Sequence, residues 1–208
     1  MNKYEFDPVT HIGKVNGEIW PSVTQLLNRY KLINYDDVPE SVLEEKRILG
    51  TRVHRASLLL DNNNLDEQHF NKTFPECIPY LEGYRKFRVI EKFEPDEKEV
   101  RLFSNKRKFH GSPDEIGSRD FNGKIISVVI DYKGTYHMYK SAGAQLAAYA
   151  MLIEENYKTK IKERWGLLLK PSGNYELTQF KDKLDFTDFE ACLYMYWRCR
   201  NKYKTIKE

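Results

Sequence analysis

The 208-residue chain has only three cysteines, Cys77, Cys192 and Cys199, and no C-x-x-C pair. An odd count at such wide spacing argues against a disulfide framework, a structural zinc site and an iron–sulfur cluster. Cys192 and Cys199 are seven apart in a helical pattern and read as buried thiols on one stripe. Apolar runs such as Leu58–Leu60 and Val128–Ile130 are far too short to cross a bilayer, so no membrane role is expected. Met1–Asp7 is polar and mixed in charge, unlike a signal peptide, and a cytoplasmic protein is the expectation. A large charge of one sign is also missing. The 34 basic and 31 acidic residues leave a net charge of +3, which permits an anionic partner without demanding one. Internal repeats and low-complexity linkers are absent.

What is present suits one soluble domain. Hydrophobic residues make up 40% and charged residues 31%, a globular balance. A chain of this length buries roughly 70% of its unfolded surface, so it needs neither disulfide nor metal to fold. The expected organisation is a single domain over 1–208: an N-terminal hairpin and helices over 1–95, a sheet core over 96–180, and a C-terminal helix over 185–208.

Tyr4–Phe6 and Glu18–Trp20 flank turn signals at Gly13 and Asn16-Gly17 and predict a hairpin. Ser22 is placed to cap a helix over Val23–Tyr30. Pro39 opens a longer helix with Val42, Leu49, Val53, Ala56 and Leu60 on one stripe, stopped by Asp61–Asn64. Pro79–Glu91 predicts a third helix, with Tyr80, Tyr84, Phe87 and Ile90 on one side. The period then changes. Glu99–Ser104, Phe109–Ile116 and Lys124–Tyr132 read as strands separated by turns at Asn105–Lys108 and Ser118–Gly123. Helical spacing returns at Ala142, Leu146, Tyr149, Ala150 and Ile153. Two more strands, Trp165–Lys170 and Tyr175–Phe180, surround a Pro-Ser-Gly-Asn turn. Thr187 and Glu190 form a capping-box pattern for the last helix, which runs to about Lys204. This order predicts an α/β or α+β fold built on a central mixed sheet.

The segment Ile125–Lys133 carries the most information. A nearly continuous β-branched run implies a strand buried on both faces, and it ends abruptly in Asp131, Tyr132 and Lys133. Alternation puts Asp131 and Lys133 on the same face. Asp114, on the preceding strand, approaches Asp131 if the strands form a meander. Two convergent carboxylates repel, and a divalent cation is the usual resolution. Lys133 beside them could orient or deprotonate a water on the ion, or stabilise a pentavalent phosphate. Each residue also has a plainer reading. Asp131 and Lys133 make an ordinary surface pair, Asp114 a turn residue, and His54 a buried, hydrogen-bonded histidine.

Four short motifs, in order, resemble the PD-(D/E)XK nuclease superfamily, within it the RecB-like and Cas4-like branch with its phage and mitochondrial exonucleases. They are Gly50-Thr51-Arg52-Val53-His54, Gly111-Ser112-Pro113-Asp114, Asp131-Tyr132-Lys133 and Gln145-Leu146-Ala147-Ala148-Tyr149. Trp20–Leu27 is similar to the opening segment of the phage exonuclease-like members, so the likeness spans Trp20 to Tyr149. It implies a restriction-endonuclease-like core, a central mixed β-sheet flanked by helices. It also implies that His54, Asp114, Asp131 and the Tyr132 carbonyl hold Mg²⁺ or Mn²⁺. Asp114, Asp131 and Lys133 would be catalytic, and Gln145 and Tyr149 would contact substrate or steady the lysine. Gly50, one turn before His54, would permit a close backbone approach.

The chain departs from the family in places. Gly134 follows the D-x-K where many relatives carry Thr or Ser, and the four cysteines of typical Cas4-like proteins are missing, so no iron–sulfur cluster is expected. No G-x-x-x-x-G-K-[ST] is present, so ATP-driven unwinding would belong to a helicase or recombination partner. Glu99 is a possible extra ligand, and His110 fits no family role. Among the basic groups, the turn Lys106, Arg107 and Lys108 is the best candidate for phosphate contact. Arg47, Arg52 and Arg55 line the helix that bears His54.

The leading expectation is therefore a Mg²⁺- or Mn²⁺-dependent DNA nuclease, an exonuclease on single strands or ends, in a bacterial or phage-infected cell. The alternative is a nucleic-acid-binding subunit of a recombination, repair or defence complex with little activity of its own. A two-carboxylate hydrolase of glycosidase type needs neither the lysine nor the histidine and fits poorly.

Overall fold

Turn residues divide the first twenty positions into three strands, β1 (Tyr4–Asp7), β2 (Ile12–Val15) and β3 (Glu18–Trp20), paired as an antiparallel meander. The predicted two-stranded hairpin is thus one strand short. Ile12–Val15 was hidden because Gly13, placed under the His110 ring, looked like turn punctuation. The computed structural model describes residues 2–8, 10–33, 39–133 and 138–202. Lys204 and Gly134 lie outside them.

Helix α1 (Val23–Arg29) starts at a full capping box. Ser22 Oγ accepts from Gln25 N, and Gln25 Oε1 accepts from Ser22 N. Helix α2 (Glu40–Asp61) begins after Pro39 as expected, but only its second half packs. Val53, Ala56 and Ser57 are buried, while Val42 is exposed. A short helix that the hydrophobic pattern did not signal, α3 (Glu67–Thr73), follows. Asp66 caps it, and Phe70 is its single buried apolar side chain. A 3-10 turn at Pro75–Cys77 leads into α4 (Ile78–Glu91), which buries Leu81, Tyr84 and Phe87 and leaves Ile90 in solvent.

The strand region differs most from expectation. Strand β4 (Phe93–Lys98) escaped notice because Pro95 and four charged residues mask its alternation. It is an edge strand with a bulge between Pro95 and Glu97, where both features are tolerated. It also takes the central sheet back to Phe93, before the expected boundary at 96. The predicted strand Phe109–Ile116 is two strands. β5 (Leu102–Ser104) and β6 (Phe109–Gly111) form a separate two-stranded sheet. Pro113, which has no N–H for a ladder, precedes β7 (Glu115–Phe121). The predicted turn over Ser118–Gly123 shrinks to Asn122-Gly123, both with positive φ, before β8 (Lys124–Lys133). Helix α5 (Ala142–Tyr157) then crosses to β9 (Glu163–Leu169), and the turn predicted at Pro171–Asn174 leads to β10 (Tyr175–Gln179). The last helix, α6 (Leu184–Lys202), starts three residues before Thr187 because Asp182 Oδ1 accepts from Leu184 N at 2.9 Å.

The central sheet runs β10-β9-β8-β7-β4. The β8–β9 pair is parallel and the others are antiparallel, so the sheet is mixed, with β8 at its centre and helices on both faces. Alternation along β8 sorts the core. Val128, Ile130 and Tyr132 face the side of α2 and α4, with Tyr84, Phe87 and Trp165. Val129 faces α1, α5 and α6, with Leu26, Leu146, Leu152 and Phe189. Burial on both faces holds only for Val128–Tyr132; Ile125, near the hairpin end, is 75% exposed. No helix of the described residues is long and apolar enough to cross a membrane.

Candidate active site

Asp131 and Lys133 project from the same face of β8, and Lys133 Nζ lies 2.7 Å from Asp131 Oδ2. The first turn of α5 lies over them. Gln145, buried, donates through Nε2 to Asp131 Oδ1 at 2.7 Å and accepts from Lys133 Nζ at 2.8 Å. The same Nε2 reaches the Tyr149 hydroxyl at 3.0 Å. Gln145 thus bridges Asp131 and Lys133. Burial on the sheet side and the charges of Asp131 and Asp114 keep the Tyr149 phenol well above its usual range.

The other half of the site is built across the β7–β8 pairing. Glu115 pairs with Ile130, which sets Asp114 one step beyond the ladder, opposite Asp131. Asp114 Oδ2 accepts from the Tyr132 N–H at 2.6 Å. His54, from α2, places Nδ1 3.7 Å from Asp114 Oδ1 and 3.5 Å from Glu99 Oε1, with its ring edge-on to that of Tyr132. Glu99 follows the end of β4 at φ +50°, and its N–H donates to Asp114 O at 3.0 Å. Burial pushes the Asp114 carboxyl up to about 6. Asp131 adds to that shift, while His54, the Tyr132 N–H and Lys133 oppose it. Burial disfavours the charged His54 imidazole, but Asp114, Glu99 and Asp131 outweigh it and hold its pKa above the ordinary value. The bond to His54 lowers Glu99.

The structure thus brings together His54, Asp114, Asp131, Tyr132, Lys133, Gln145 and Tyr149, and adds Glu99. It does not bring Lys106, Arg107 and Lys108 to them. Lys106 N binds Glu155, Arg107 pairs with Glu190, and Lys108 pairs with Glu18. Glu155 lies ten residues beyond Gln145 on α5, about 15 Å along the axis. The sequence places this turn near Asp114, but the β5–β6 hairpin points it away. Gly50 also differs from expectation, since among the described residues nothing lies within 4 Å of where its Cβ would be.

Sequence reasoning missed Arg101 and Ser112. They line a cavity of about 420 Å³ with His11, Ser22, Thr24 and Tyr149. Arg101 stacks 3.7 Å from the Phe6 ring centre, and among the described residues it has no carboxylate partner. The Ser112 hydroxyl is buried and has no hydrogen-bond partner among the described residues. A cation flanked by Val100 and Leu102 in a strand-like stretch was the available signal.

The donor set suits a divalent cation such as Mg²⁺ or Mn²⁺: carboxylate oxygens of Asp114, Asp131 and Glu99 with the His54 imidazole beside them, and Asp131 close enough to Asp114 to disfavour its charge. Among the described residues no three His, Cys, Asp or Glu side chains form a ready-made ligand cluster. Asp131 is turned to Lys133 and Gln145, and Asp114 to the Tyr132 N–H.

No family model matches this chain, and no curated protein matches it either. Among solved structures, it is similar to a candidate exonuclease of Eubacterium rectale, at 13% identity and a TM-score of 0.44, over 81% of this chain and 70% of that one. It is also similar to the protein SSO0001, at 13% identity and a TM-score of 0.34, over 88% of this chain and 85% of that one. At this degree of likeness, function has to be argued from the site itself.

Proposed function

We propose that this protein is a divalent-metal-dependent nuclease of the PD-(D/E)XK type, from the RecB-like branch, which hydrolyses phosphodiester bonds in single-stranded DNA or at DNA ends. One observation carries the reading. Four motifs spread over a hundred residues converge on the end of one buried strand, with a lysine held between an aspartate and a glutamine. His54, Asp114, Asp131 and the Tyr132 carbonyl would hold Mg²⁺ or Mn²⁺, with Glu99 as a further oxygen donor. The ion would supply charge neutralisation and Lewis-acid polarisation at the phosphate.

The chain's own groups do the rest. Asp131 and Gln145 hold the Lys133 ammonium, which is fixed to orient an attacking water and to offset charge developing on the phosphate oxygens. Holding it in advance removes reorganisation from the reaction step. The cavity beside Tyr149 fits a neighbouring phosphate of the strand, since Arg101 offers a guanidinium with no carboxylate partner among the described residues and Ser112 a buried hydroxyl unmatched among them. Ser112 is two residues from Asp114, a span of about 7 Å in extended chain.

The test is cleavage of end-labelled single-stranded, linear duplex and circular DNA with Mg²⁺, Mn²⁺ or EDTA, for the wild type and Asp131→Asn. The expected result is metal-dependent loss of linear substrates, sparing of circles, and no cleavage by the variant. Cleavage in EDTA, or full activity of Asp131→Asn, overturns the reading. Binding without cleavage under either metal replaces it with that of a nucleic-acid-binding subunit.

A further inference from the structure

Beneath the site, on the α2 and α4 side of the sheet, lies a buried ionic cluster that the chemistry above does not use. Its centre is the Lys98 ammonium, 6% exposed. It meets Asp61 Oδ2 at 2.5 Å, the Tyr84 hydroxyl at 2.9 Å, Glu115 Oε1 at 3.0 Å and Ser57 Oγ at 3.3 Å. Glu115 is fully buried and also accepts from the Tyr132 and Tyr84 hydroxyls. Arg88 pairs with the other oxygen of Asp61 at 2.5 Å. Arg88 also reaches the exposed Glu94 at 3.1 Å, and every oxygen of Asp61 and Glu115 has a partner.

Four cluster members, Ser57, Lys98, Glu115 and Tyr132, link directly to the site. Ser57 Oγ donates to the His54 carbonyl at 2.9 Å, one turn back on α2. Lys98 precedes Glu99, whose positive φ and N–H bond to Asp114 O put its carboxylate at His54. Glu115 follows Asp114 and points through the opposite face of β7. Tyr132 joins the two most closely. Its hydroxyl is anchored on Glu115, its ring flanks His54, and its N–H holds Asp114. Asp61 and Tyr84 complete the shell around the ammonium. Desolvation makes such a cluster costly when incomplete, so it locks its members into one arrangement.

We propose that Lys98 is a positioning residue of this site: through Ser57, Glu115 and Tyr132 it fixes His54, Glu99 and Asp114 in the geometry that the nuclease reading, on which this inference rests, requires. Outer partners of this kind typically change activity or metal affinity about 10–100-fold when removed.

The experiment compares Lys98→Met, Lys98→Arg and Tyr132→Phe with Arg119→Met. Arg119 makes a two-bond ion pair with Glu163 across the sheet, with no contact to the cluster, so Arg119→Met serves as a control for stability loss. Three quantities are read: the unfolding midpoint, kcat and KM on DNA, and the imidazole NMR resonances of His54 in the metal-free protein. Lys98→Met and Tyr132→Phe are expected to cut kcat about tenfold or more, with KM within about twofold, and to shift the His54 resonances. Lys98→Arg restores part of the rate. Arg119→Met lowers the midpoint alone. If Lys98→Met does not fold, Tyr132→Phe, which keeps the ring, carries the test. Lower midpoints with unchanged kcat and unchanged His54 resonances overturn the proposal. If the wild type cleaves no DNA, the nuclease reading fails, and the His54 resonances still decide whether Lys98 positions the site.

Discussion

Gln145→Met is the sharpest probe of how the site is held. Methionine keeps the length of the side chain and removes both of its polar atoms. Three hydrogen bonds disappear: to Asp131 Oδ1, from Lys133 Nζ, and to the Tyr149 hydroxyl. Lys133, 18% exposed, can turn to water and still has Asp131. Asp131 and Tyr149 are 3% and 4% exposed and cannot. Leaving a buried acceptor or hydroxyl unmatched costs about 1–3 kcal/mol, more for a charged group, so the pair loses about 4 kcal/mol. In a protein of this size that lowers the thermal midpoint by roughly 10 °C. Urea unfolding, with a shift in midpoint at unchanged slope, measures the loss. In the cleavage assay kcat falls about tenfold or more, with little change in KM, because the lysine loses one of its two supports while Arg101 and Ser112 are untouched. A stability loss below about 1 kcal/mol would refute the account of Gln145 as the buried link, and a change confined to KM would instead make it a substrate contact.

Two further outcomes follow from other parts of the molecule. His110 is fully buried between Phe6 and Phe103, and burial, with the charge of Arg101, pushes its pKa down to about 4 from an ordinary 6.5. The unfolded chain therefore protonates first as pH falls, so this group's contribution is full above about pH 6.5 and lost towards pH 4. Relative to His110→Phe, the wild type should lose roughly 3 kcal/mol across that window in denaturant titrations at stepped pH; parallel curves would show that the fold does not depress the His110 pKa. Gly50→Ala fills open space in the middle of α2 and should stabilise by about 0.5–1 kcal/mol in the same measurement, through helix propensity and a smaller unfolded-state entropy; destabilisation would mean that a close approach at Gly50 does exist.

Much of the architecture was legible because it rests on local rules. The β-branched run to Ile130 marked the central strand, Pro39 and the Asp61–Asn64 cluster bounded α2, and Ser22 marked the start of α1. Motif spacing placed Asp114, Asp131, Lys133, Gln145 and Tyr149 together, because pairing in a hairpin and crossing in a β-α-β unit leave few alternatives. Glu99 was only half visible, since β4, which ends just before it, is an edge strand whose charges break the alternation.

The remainder depended on tertiary packing. Which way the β5–β6 hairpin turns decided that Lys106–Lys108 lies far from the acidic pair, and no local pattern encodes that direction. The burial of Lys98, Glu115 and Asp61 together is equally invisible in the sequence, where each reads as an ordinary surface charge. Only the approach of α2, α4, β4 and β7 desolvates them, and desolvation is what turns scattered charges into one cluster. The sequence by itself determined which chemistry-bearing residues end up beside one another along the strand end. The tertiary structure decided which of them are buried, which are paired, and hence which can position the others.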